Sequence, residues 1–376
     1  MITSAFAYLL CIALIASFFT ILQKQLKLKV FEYIPAVVMI YALSMLLAGM
    51  GVFAQNNEIK EIYSLTKSNL LPAMLFLMLL QIDFSHFLKL GRSLLIAYVA
   101  AVLSIAFAFI VVVMLLDFSK EGAAAFGALA GSWMGGTANM VAVGSALNVP
   151  QEAYGYALIV DSFNYTLWVM FLLFMVPFAK YFNSFTQADT LHTNYGDIGC
   201  ACNVGAKRYW LLLFFAIAVS LASQLIAEHI TLLSKTTTVV LIATLFGVLG
   251  SFTKLKTLNG SSEIANTMLY ILIALIGSRA VFESFSGVGL YVVAGFGILF
   301  VHAFIMVIVA KIFKLDLFSI AVASLSNIGG VASAPILAAA YNKSLVSVGV
   351  LMAIMGYLIG TFGGLAVGSV LMEMAQ

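Results

Sequence analysis

Long apolar runs cover nearly the whole chain, and only short polar stretches separate them. Reading the runs between the polar stretches gives twelve elements. They lie near 3–23, 31–54, 69–86, 93–116, 122–148, 152–180, 208–228, 236–252, 264–284, 288–311, 317–342 and 344–372. Because most of them have the length of about 20 residues that a helix needs to cross a bilayer, they predict an all-α polytopic membrane protein.

The composition excludes the other broad classes. Charged residues make up 9% of the 376 residues and hydrophobic residues 63%. A soluble domain carries about 25% charged residues, so the chain is not expected to be a soluble enzyme, a disordered protein or a nucleic-acid binder. The net charge of +3 is expected to reflect loop orientation rather than an acidic partner. Cys200 and Cys202 form a single C-x-C near His192, which is a weak metal signal.

The two halves of the chain resemble each other at a fixed offset of 194 residues. Between 132–155 and 326–349, seven of 24 positions are identical, where composition alone would give about two. The identical positions include Ser132, Gly135 and Gly136 in the first half and Ser326, Gly329 and Gly330 in the second. We interpret this as an internal duplication, with repeats over 1–180 and 208–376 and a cytoplasmic loop over 181–207.

The distribution of basic residues predicts which elements cross the membrane. If the fifth and eleventh elements enter and leave on one side, 13 of the 18 Lys and Arg lie inside, as the positive-inside rule requires. Lys67 is then one of the five outer residues, and both termini are outside. Each repeat has five crossings plus one broken, re-entrant element. Because five is odd, the second repeat is inverted relative to the first, as in secondary transporters.

Both re-entrant elements contain a glycine pair with Ser, Thr or Asn close by. Paired glycines allow a sharp turn and a close approach of a ligand to the backbone. Thr137 and Ser333 are predicted N-caps of half-helices, whose N-termini attract anions. The candidate substrate-binding residues are Ser132, Gly135, Gly136, Thr137, Asn139, Ser326, Asn327, Gly329, Gly330 and Ser333. The alternative is that the glycines are close-packing points between helices.

Asp161 is an ionisable residue inside the sixth element, where a charge is costly and usually faces a cavity or a partner. Asn164 lies three residues further on, so both side chains share a helix face. We therefore predict that Asp161 and Asn164 bind a coupling Na⁺, or that Asp161 carries H⁺. The alternative is that Asp161 caps the backbone of the hairpin.

Other polar residues are weaker candidates. Asp83 lies close to a basic loop, where an ion pair is the simpler interpretation. Arg279 and Glu283 are four residues apart and are predicted to pair with each other, although Arg279 could also neutralise a substrate. His302 lies inside the tenth element and is predicted to form hydrogen bonds across helices rather than to relay protons.

At Gly131–Asn148 and in the region Ser324–Gly364, the chain resembles the YjcL-like membrane family, domain of unknown function family 819. That family is similar to the group of bile-acid/sodium symporters, cation/proton antiporters, and glutamate and citrate symporters. The resemblance implies a transport domain that moves past a scaffold, usually in a homodimer, with glycine-pair tips in the glutamate and citrate branches. It also implies an ion-binding Asp at a position like that of Asp161, although no second Asp adjoins it here, which argues against proton antiport.

The sequence as a whole predicts an elevator-type secondary active transporter. It would be an ion-coupled symporter of a small carboxylate-bearing organic anion in the cytoplasmic membrane of a bacterium. The scaffold would comprise 1–54 and 208–252, and the transport domain 69–180 and 264–372. We expect no enzymatic activity and no cofactor apart from the Na⁺ or H⁺. The alternatives are a passive channel and a translocator of a lipid or of a cell-wall precursor.

Overall fold

The computed structural model describes residues 1–26, 36–82, 87, 90–188, 206–230, 234–258, 260–279, 287–342 and 345–375. Within these ranges the chain is helical and forms no extended sheet. The helices are α1 (Ala5–Leu26), α2 (Ala36–Gly49), α3 (Asn57–Leu79), α4 (Arg92–Leu116), α5 (Lys120–Gly135), α6 (Thr137–Ala146), α7 (Gln151–Met175), α8 (Ala179–Thr186), α9 (Ala206–Ala227), α10 (Lys235–Ser251), α11 (Ser261–Gly277), α12 (Val288–Phe313), α13 (Leu317–Ile328), α14 (Gly330–Tyr341) and α15 (Val346–Met374). The predicted all-α class is confirmed.

The apolar surface of the helices identifies a membrane protein. Seven helices in the described part of the chain are long and apolar enough to cross a bilayer. On α1, the exposed face carries Phe6, Leu10 and Leu14, while Tyr8 and Ile12 are buried on the opposite face. A helix that is apolar all round suits lipid on one side and protein on the other. The chain is therefore a multi-pass membrane protein whose exposed helix faces contact lipid.

The third element begins earlier than the sequence analysis predicts. α3 starts at Asn57 rather than near residue 69, because the Asn56 side chain caps it by accepting a hydrogen bond of 2.9 Å from the Ile59 amide. Glu58 in the first turn also suits the helix dipole. Lys67, which is predicted to lie outside the membrane, is consequently a residue of α3, close to its middle.

By its internal contacts the chain divides into two compact units. The first unit comprises Met1–Gln81, Gly144–Ser162 and Cys202–Gly289. Within it, α3 packs on α9, α10 and α11. A Cβ added at Gly247 of α10 would lie 2.6 Å from the Leu79 Cβ, so these two helices approach closely. A buried hydrogen bond of 2.5 Å between the Tyr8 and Ser278 hydroxyls joins α1 to the end of α11.

The second unit comprises Ile82–Val143, Phe163–Ala201 and Leu290–Gln376. Within it, α15 packs against α4, α5, α13 and α14. Its contact with α5 is a seam of small residues, because a Cβ on Gly360 would lie 2.7 Å from the Gly135 Cα and one on Gly364 would lie 2.6 Å from the Gly131 Cα. In a membrane such close backbone packing is a main source of helix association. The predicted scaffold, transport and repeat boundaries stay predictions.

Candidate functional site

Both glycine pairs interrupt a helix, as the sequence predicts. α5 ends at Gly135 and α6 begins at Thr137, whereas α13 ends at Ile328 and α14 begins at Gly330. The second glycine of each pair has a positive φ, +90° at Gly136 and +61° at Gly330. This left-handed region is readily available only to glycine, so the sequence sets the turn directly.

The chain folds back on itself at each break. A Cβ added at Gly131 would lie 2.9 Å from Val143 Cγ2 and 3.1 Å from the Asn139 carbonyl oxygen. A straight helix would hold residues 131 and 143 about 18 Å apart. α13 and α14 likewise pack against each other. Each glycine pair is therefore the tip of a hairpin made of two helices.

The helices that follow the breaks begin before the predicted caps. Thr137 is the first residue of α6 and Ser333 the fourth of α14, so neither side chain is an N-cap. The Gly136 carbonyl accepts the Asn139 amide at 2.9 Å, and Gly329 holds the capping position of α14. Glycine adopts both negative and positive φ angles, so the glycine pair itself starts the second helix.

Both hairpin tips lie against one position of α15. A Cβ added at Gly356 would lie 3.2 Å from the Gly135 Cα and 3.7 Å from the Ser326 carbonyl oxygen. The ring of the next residue, Tyr357, faces the first tip, since its Cε1 lies 3.9 Å from a Cβ added at Gly136. The structure therefore brings together the two glycine breaks that the sequence places 194 residues apart.

The polar groups of the first tip are satisfied within the protein. Asn139 is 1% exposed. Its Nδ2 donates to the Gly135 carbonyl at 2.8 Å and to the Gly356 carbonyl at 3.4 Å. Its Oδ1 accepts a hydrogen bond of 2.6 Å from the Thr361 hydroxyl. These bonds occupy the donors and an acceptor through which Asn139 is predicted to contact a substrate, and they connect the first hairpin to α15.

The polar groups of the second tip are not all satisfied within the described part of the protein. Ser326 Oγ, Asn327 Oδ1 and Ser333 Oγ are buried without a hydrogen-bond partner among the described residues. The Asn327 Nδ2 donates to the Ala323 carbonyl at 2.8 Å, which turns the amide oxygen the other way. Leaving a buried polar group unpaired costs about 1–3 kcal/mol, so such a group in a native structure calls for a ligand, a water molecule or a functional reason.

The two glycines of each pair have different surroundings. A Cβ added at Gly135 would collide with Asn139 and Gly356, and one at Gly329 would collide with Ser333. At Gly330, in contrast, an added Cβ would meet nothing within 4 Å. The first glycine of each pair is thus a packing position, as the alternative interpretation holds. Of the second glycines, Gly330 borders open space, and Gly136 has only an ordinary contact with Tyr357 at 3.9 Å.

The predicted coupling residues both lie on α7. Asp161 falls in the first unit, where it lies within electrostatic range of the Tyr154 hydroxyl. Asn164 falls in the second unit and is fully buried. Its Nδ2 donates to the Val292 carbonyl at 3.1 Å, while its Oδ1 has no hydrogen-bond partner in the described part of the chain. Asn164 therefore presents a bare amide oxygen, the kind of ligand that hard cations prefer.

His302 forms the hydrogen bonds across helices that the sequence predicts. Its Nδ1 lies 2.7 Å from the Ser104 hydroxyl and its Nε2 lies 2.8 Å from the Ser324 hydroxyl. Ser104 donates to the Ala101 carbonyl at 3.0 Å, and Ser324 accepts from the Trp168 indole at 3.0 Å. Every group has a partner if a neutral His302 carries its proton on Nδ1 and accepts from Ser324 at Nε2.

The remaining candidates contribute little to this site. Arg279 donates to the Gln55 side chain and lies 6.0 Å from the centre of the Tyr63 ring, within the first unit. Its predicted partner Glu283 lies outside the described residues. The same holds for Asp83, His192, Cys200 and Cys202.

Two comparisons with known proteins extend over nearly the whole chain. The family described as "Protein of unknown function (DUF819)" matches residues 9–374. The "Uncharacterized membrane protein YjcL" of Bacillus subtilis (strain 168) is 26% identical over 355 residues, which cover 86% of this chain and 88% of that protein. The printed name of this relative agrees with the membrane-spanning helices described above.

Proposed function

We propose that this chain, which belongs to the DUF819 family, is a secondary active transporter that moves a small organic anion across the cytoplasmic membrane. The proposal comprises symport with Na⁺ or H⁺ and an elevator-type movement of a transport domain past a scaffold. It includes a homodimer with both termini outside. It contains no catalytic step and no cofactor other than the coupling ion.

The second hairpin tip carries this proposal. Three buried polar atoms without a partner in the described chain, on Ser326, Asn327 and Ser333, cluster within eight residues around the break. The adjoining Gly330 borders open space. Binding of a transient cargo would give these unpaired polar groups at the end of a buried helix the partners that they lack.

The chemistry of the three groups indicates the class of cargo. The Ser326 and Ser333 hydroxyls can donate to the two oxygens of a carboxylate, next to the N-terminal amides of α14, which also favour negative charge. The Asn327 Oδ1 is an acceptor, and it is free to accept from a cargo while the Nδ2 of the same amide donates to the Ala323 carbonyl. We therefore propose a carboxylate that also carries a donor, such as a hydroxyl or an amino group.

Asn164 and Asp161 support the coupling part of the proposal, each by its own observation. The unpaired Asn164 Oδ1 suits Na⁺, which prefers oxygen ligands. Asp161 is the only acidic residue of α7 beyond its first turn, and an ionised carboxylate within a membrane span is costly. Binding of a cation at Asp161 would remove this cost and so couple the movement of the protein to the ion.

A thermal-shift screen of the purified protein tests the proposal. Hydroxy and amino carboxylates are each added as the Na⁺ and the K⁺ salt. A ligand that binds the native state raises the melting temperature by mass action, and we expect at least one anion to do so more strongly with Na⁺. Failure of every anion under both cations would contradict an organic-anion site at the tip.

Matched serine variants locate the binding. Ser326→Ala should reduce the shift given by the active anion. Ser44→Ala should leave the shift unchanged, because Ser44 is an equally buried serine without a partner in the described chain but belongs to the first unit. Equal shifts in both variants would move the cargo away from the second tip.

Uptake into proteoliposomes then tests coupling. The active anion should accumulate against its gradient only with an inward Na⁺ or H⁺ gradient. Asp161→Asn should abolish or alter that dependence while leaving the melting temperature close to that of the wild type. Equilibration that ignores both gradients would indicate a passive channel instead, and unchanged ion dependence in the variant would remove Asp161 from the mechanism.

A further inference from the structure

Lys67 is the one charged side chain of α3 between residues 62 and 79. It lies near the middle of a helix that is long and apolar enough to cross the bilayer. Its side chain is partly buried, and no hydrogen bond or ion pair joins it to another residue in the described part of the chain. An intramembrane cation without a counter-charge is costly, so its retention indicates a function.

Lys67 lines a small polar cavity inside the first unit. The other lining residues include Ser145, at the end of α6, and Gln151 and Tyr154, at the start of α7. The volume of the cavity that is accessible to the centre of a water molecule is about 10 Å³. That is space for about one water molecule or one monatomic ion.

Two hydroxyl groups of this cavity lack a partner. Ser145 is 4% exposed and Tyr154 is 2% exposed. Neither the Ser145 Oγ nor the Tyr154 OH has a hydrogen-bond partner among the residues that the structure describes. Both hydroxyls can donate, and Lys67 can only donate. The cavity is therefore rich in donors, and the acceptors among its side chains are the Gln151 amide oxygen and the hydroxyl oxygens, none of which carries a negative charge.

The dipole of the adjoining helix also favours an anion. The cavity adjoins the N-terminus of α7, a helix of 25 residues, where the dipole is positive. Glu152 in that first turn accepts a hydrogen bond of 2.8 Å from the Tyr156 hydroxyl. Asp161 lies two turns further along α7, within electrostatic range of Tyr154. Neither carboxylate lines the cavity.

We propose that Lys67, Ser145 and Tyr154 bind one chloride ion. Chloride supplies the missing counter-charge and accepts hydrogen bonds from all three side chains. It is also the common physiological anion nearest in size to the space. The site rests on residues of the first unit alone, so it stands or falls independently of the function proposed for the glycine breaks.

The test compares sodium chloride with sodium methanesulfonate at equal concentration, using the purified full-length protein. The methanesulfonate anion has the same charge but is much larger than chloride and is expected to fit the cavity poorly. The melting temperature should rise with chloride concentration to a plateau and stay flat with methanesulfonate. In crystals soaked in sodium bromide, an anomalous peak should lie beside Lys67. No chloride-specific rise, or bromide found only elsewhere, would overturn the proposal.

Lysine variants on one helix provide the matched control. Lys67→Gln should weaken chloride binding by about tenfold or more, since it removes the charged donor. Lys60→Gln removes the same charge from the exposed side of α3 and should bind chloride as the wild type does. Equal loss in both variants, or no loss in Lys67→Gln, would contradict the site.

Hydroxyl variants decide the matter if Lys67→Gln does not fold. Ser145→Ala and Tyr154→Phe each remove one donor without removing a bond that the protein makes to itself. Each should raise the dissociation constant for chloride severalfold. If both variants bind chloride with unchanged affinity, the ion does not occupy this cavity.

Discussion

The two glycine breaks share a backbone turn but differ in how their polar groups are bonded. In both, the first glycine is packed tightly and the second has a positive φ. At the first break, the Asn139 amide donates to the Gly135 and Gly356 carbonyls and accepts from the Thr361 hydroxyl. At the second, the residue at the equivalent position is Ser333, whose hydroxyl has no partner among the described residues.

This difference indicates how the two breaks of the predicted repeat divide two tasks. The glycine pair makes the same turn at both breaks, since the turn depends on the missing Cβ. At the first break an amide closes the tip onto α15, whereas at the second the short hydroxyls leave the tip unsatisfied. We therefore expect substitutions at the first break to reduce stability and substitutions at the second to reduce ligand affinity.

Alanine at the packed and at the open glycine should give the largest contrast. Gly135→Ala would place a methyl group against Asn139 and the Gly356 carbonyl, and overpacking of this kind costs about 3 kcal/mol or more where backbone must move. Gly330→Ala meets open space and costs about 1–2 kcal/mol for its left-handed φ. Melting temperature and yield in detergent measure both.

Gly289→Ala is the control for this pair. Gly289 lies in a helix with nothing within 4 Å of an added Cβ, so alanine there should be neutral or slightly stabilising. Gly330→Ala should nevertheless lose affinity for the transported anion, because its methyl group enters the space beside the tip. A Gly135→Ala protein as stable as the Gly289→Ala protein would refute the packing role.

Alanine at the two asparagines should give an intermediate contrast. Asn139→Ala removes three hydrogen bonds and leaves the Thr361 hydroxyl and two carbonyls to find other partners, so it should lower stability by about 2 kcal/mol or more. Asn327→Ala removes a single bond to the Ala323 carbonyl and should cost about 1 kcal/mol. The measurement is chemical or thermal unfolding in one detergent.

Ligand binding separates the same two variants in the opposite order. Asn327→Ala should lower the affinity for the active anion by about tenfold, which is the expected effect of losing one hydrogen bond in a buried site. Asn139→Ala, at a temperature where it is folded, should bind with nearly wild-type affinity. Equal effects of the two variants on both readouts would remove the distinction between the breaks.

The smallest loss of stability is expected at the hydroxyl groups of the second tip. Ser333→Ala removes a buried oxygen that makes no bond among the described residues, so the unfolding free energy should stay the same or rise by about 1 kcal/mol. Affinity for the anion should fall severalfold. Thr361→Val, which deprives Asn139 of its donor, should do the reverse, and a Ser333→Ala protein with unchanged affinity would place the cargo elsewhere.

The sequence predicts the backbone of this site better than its hydrogen bonds. Glycine pairs inside apolar runs indicate both breaks, because the conformational cause is local. The closed state of Asn139 depends on Gly356 and Thr361, more than 200 residues further along the chain, and no local pattern reveals such partners. The predicted repeat does not reveal these partners either, because the residues at the equivalent positions, Asn139 and Ser333, are of different types.

Lys67 illustrates a different kind of failure. Polar residues between 57 and 69 resemble an outer loop, so the lysine is counted with the loop charges that orient the chain. Asn56 followed by Glu58 is a signal for a helix start, and it would have placed Lys67 inside the helix. Its cavity is formed by residues from α6 and α7, which only the tertiary structure brings near.

The glycine seam between α5 and α15 has a mechanical consequence. The backbones of these two helices touch at Gly131, Gly135, Gly360 and Gly364, because glycine has no side chain to keep them apart. Sliding one along the other would drive larger residues into the same gap, so the two helices are expected to move as one body. α15 also packs on α13 and α14, so in the proposed elevator movement both hairpins would shift together rather than open independently.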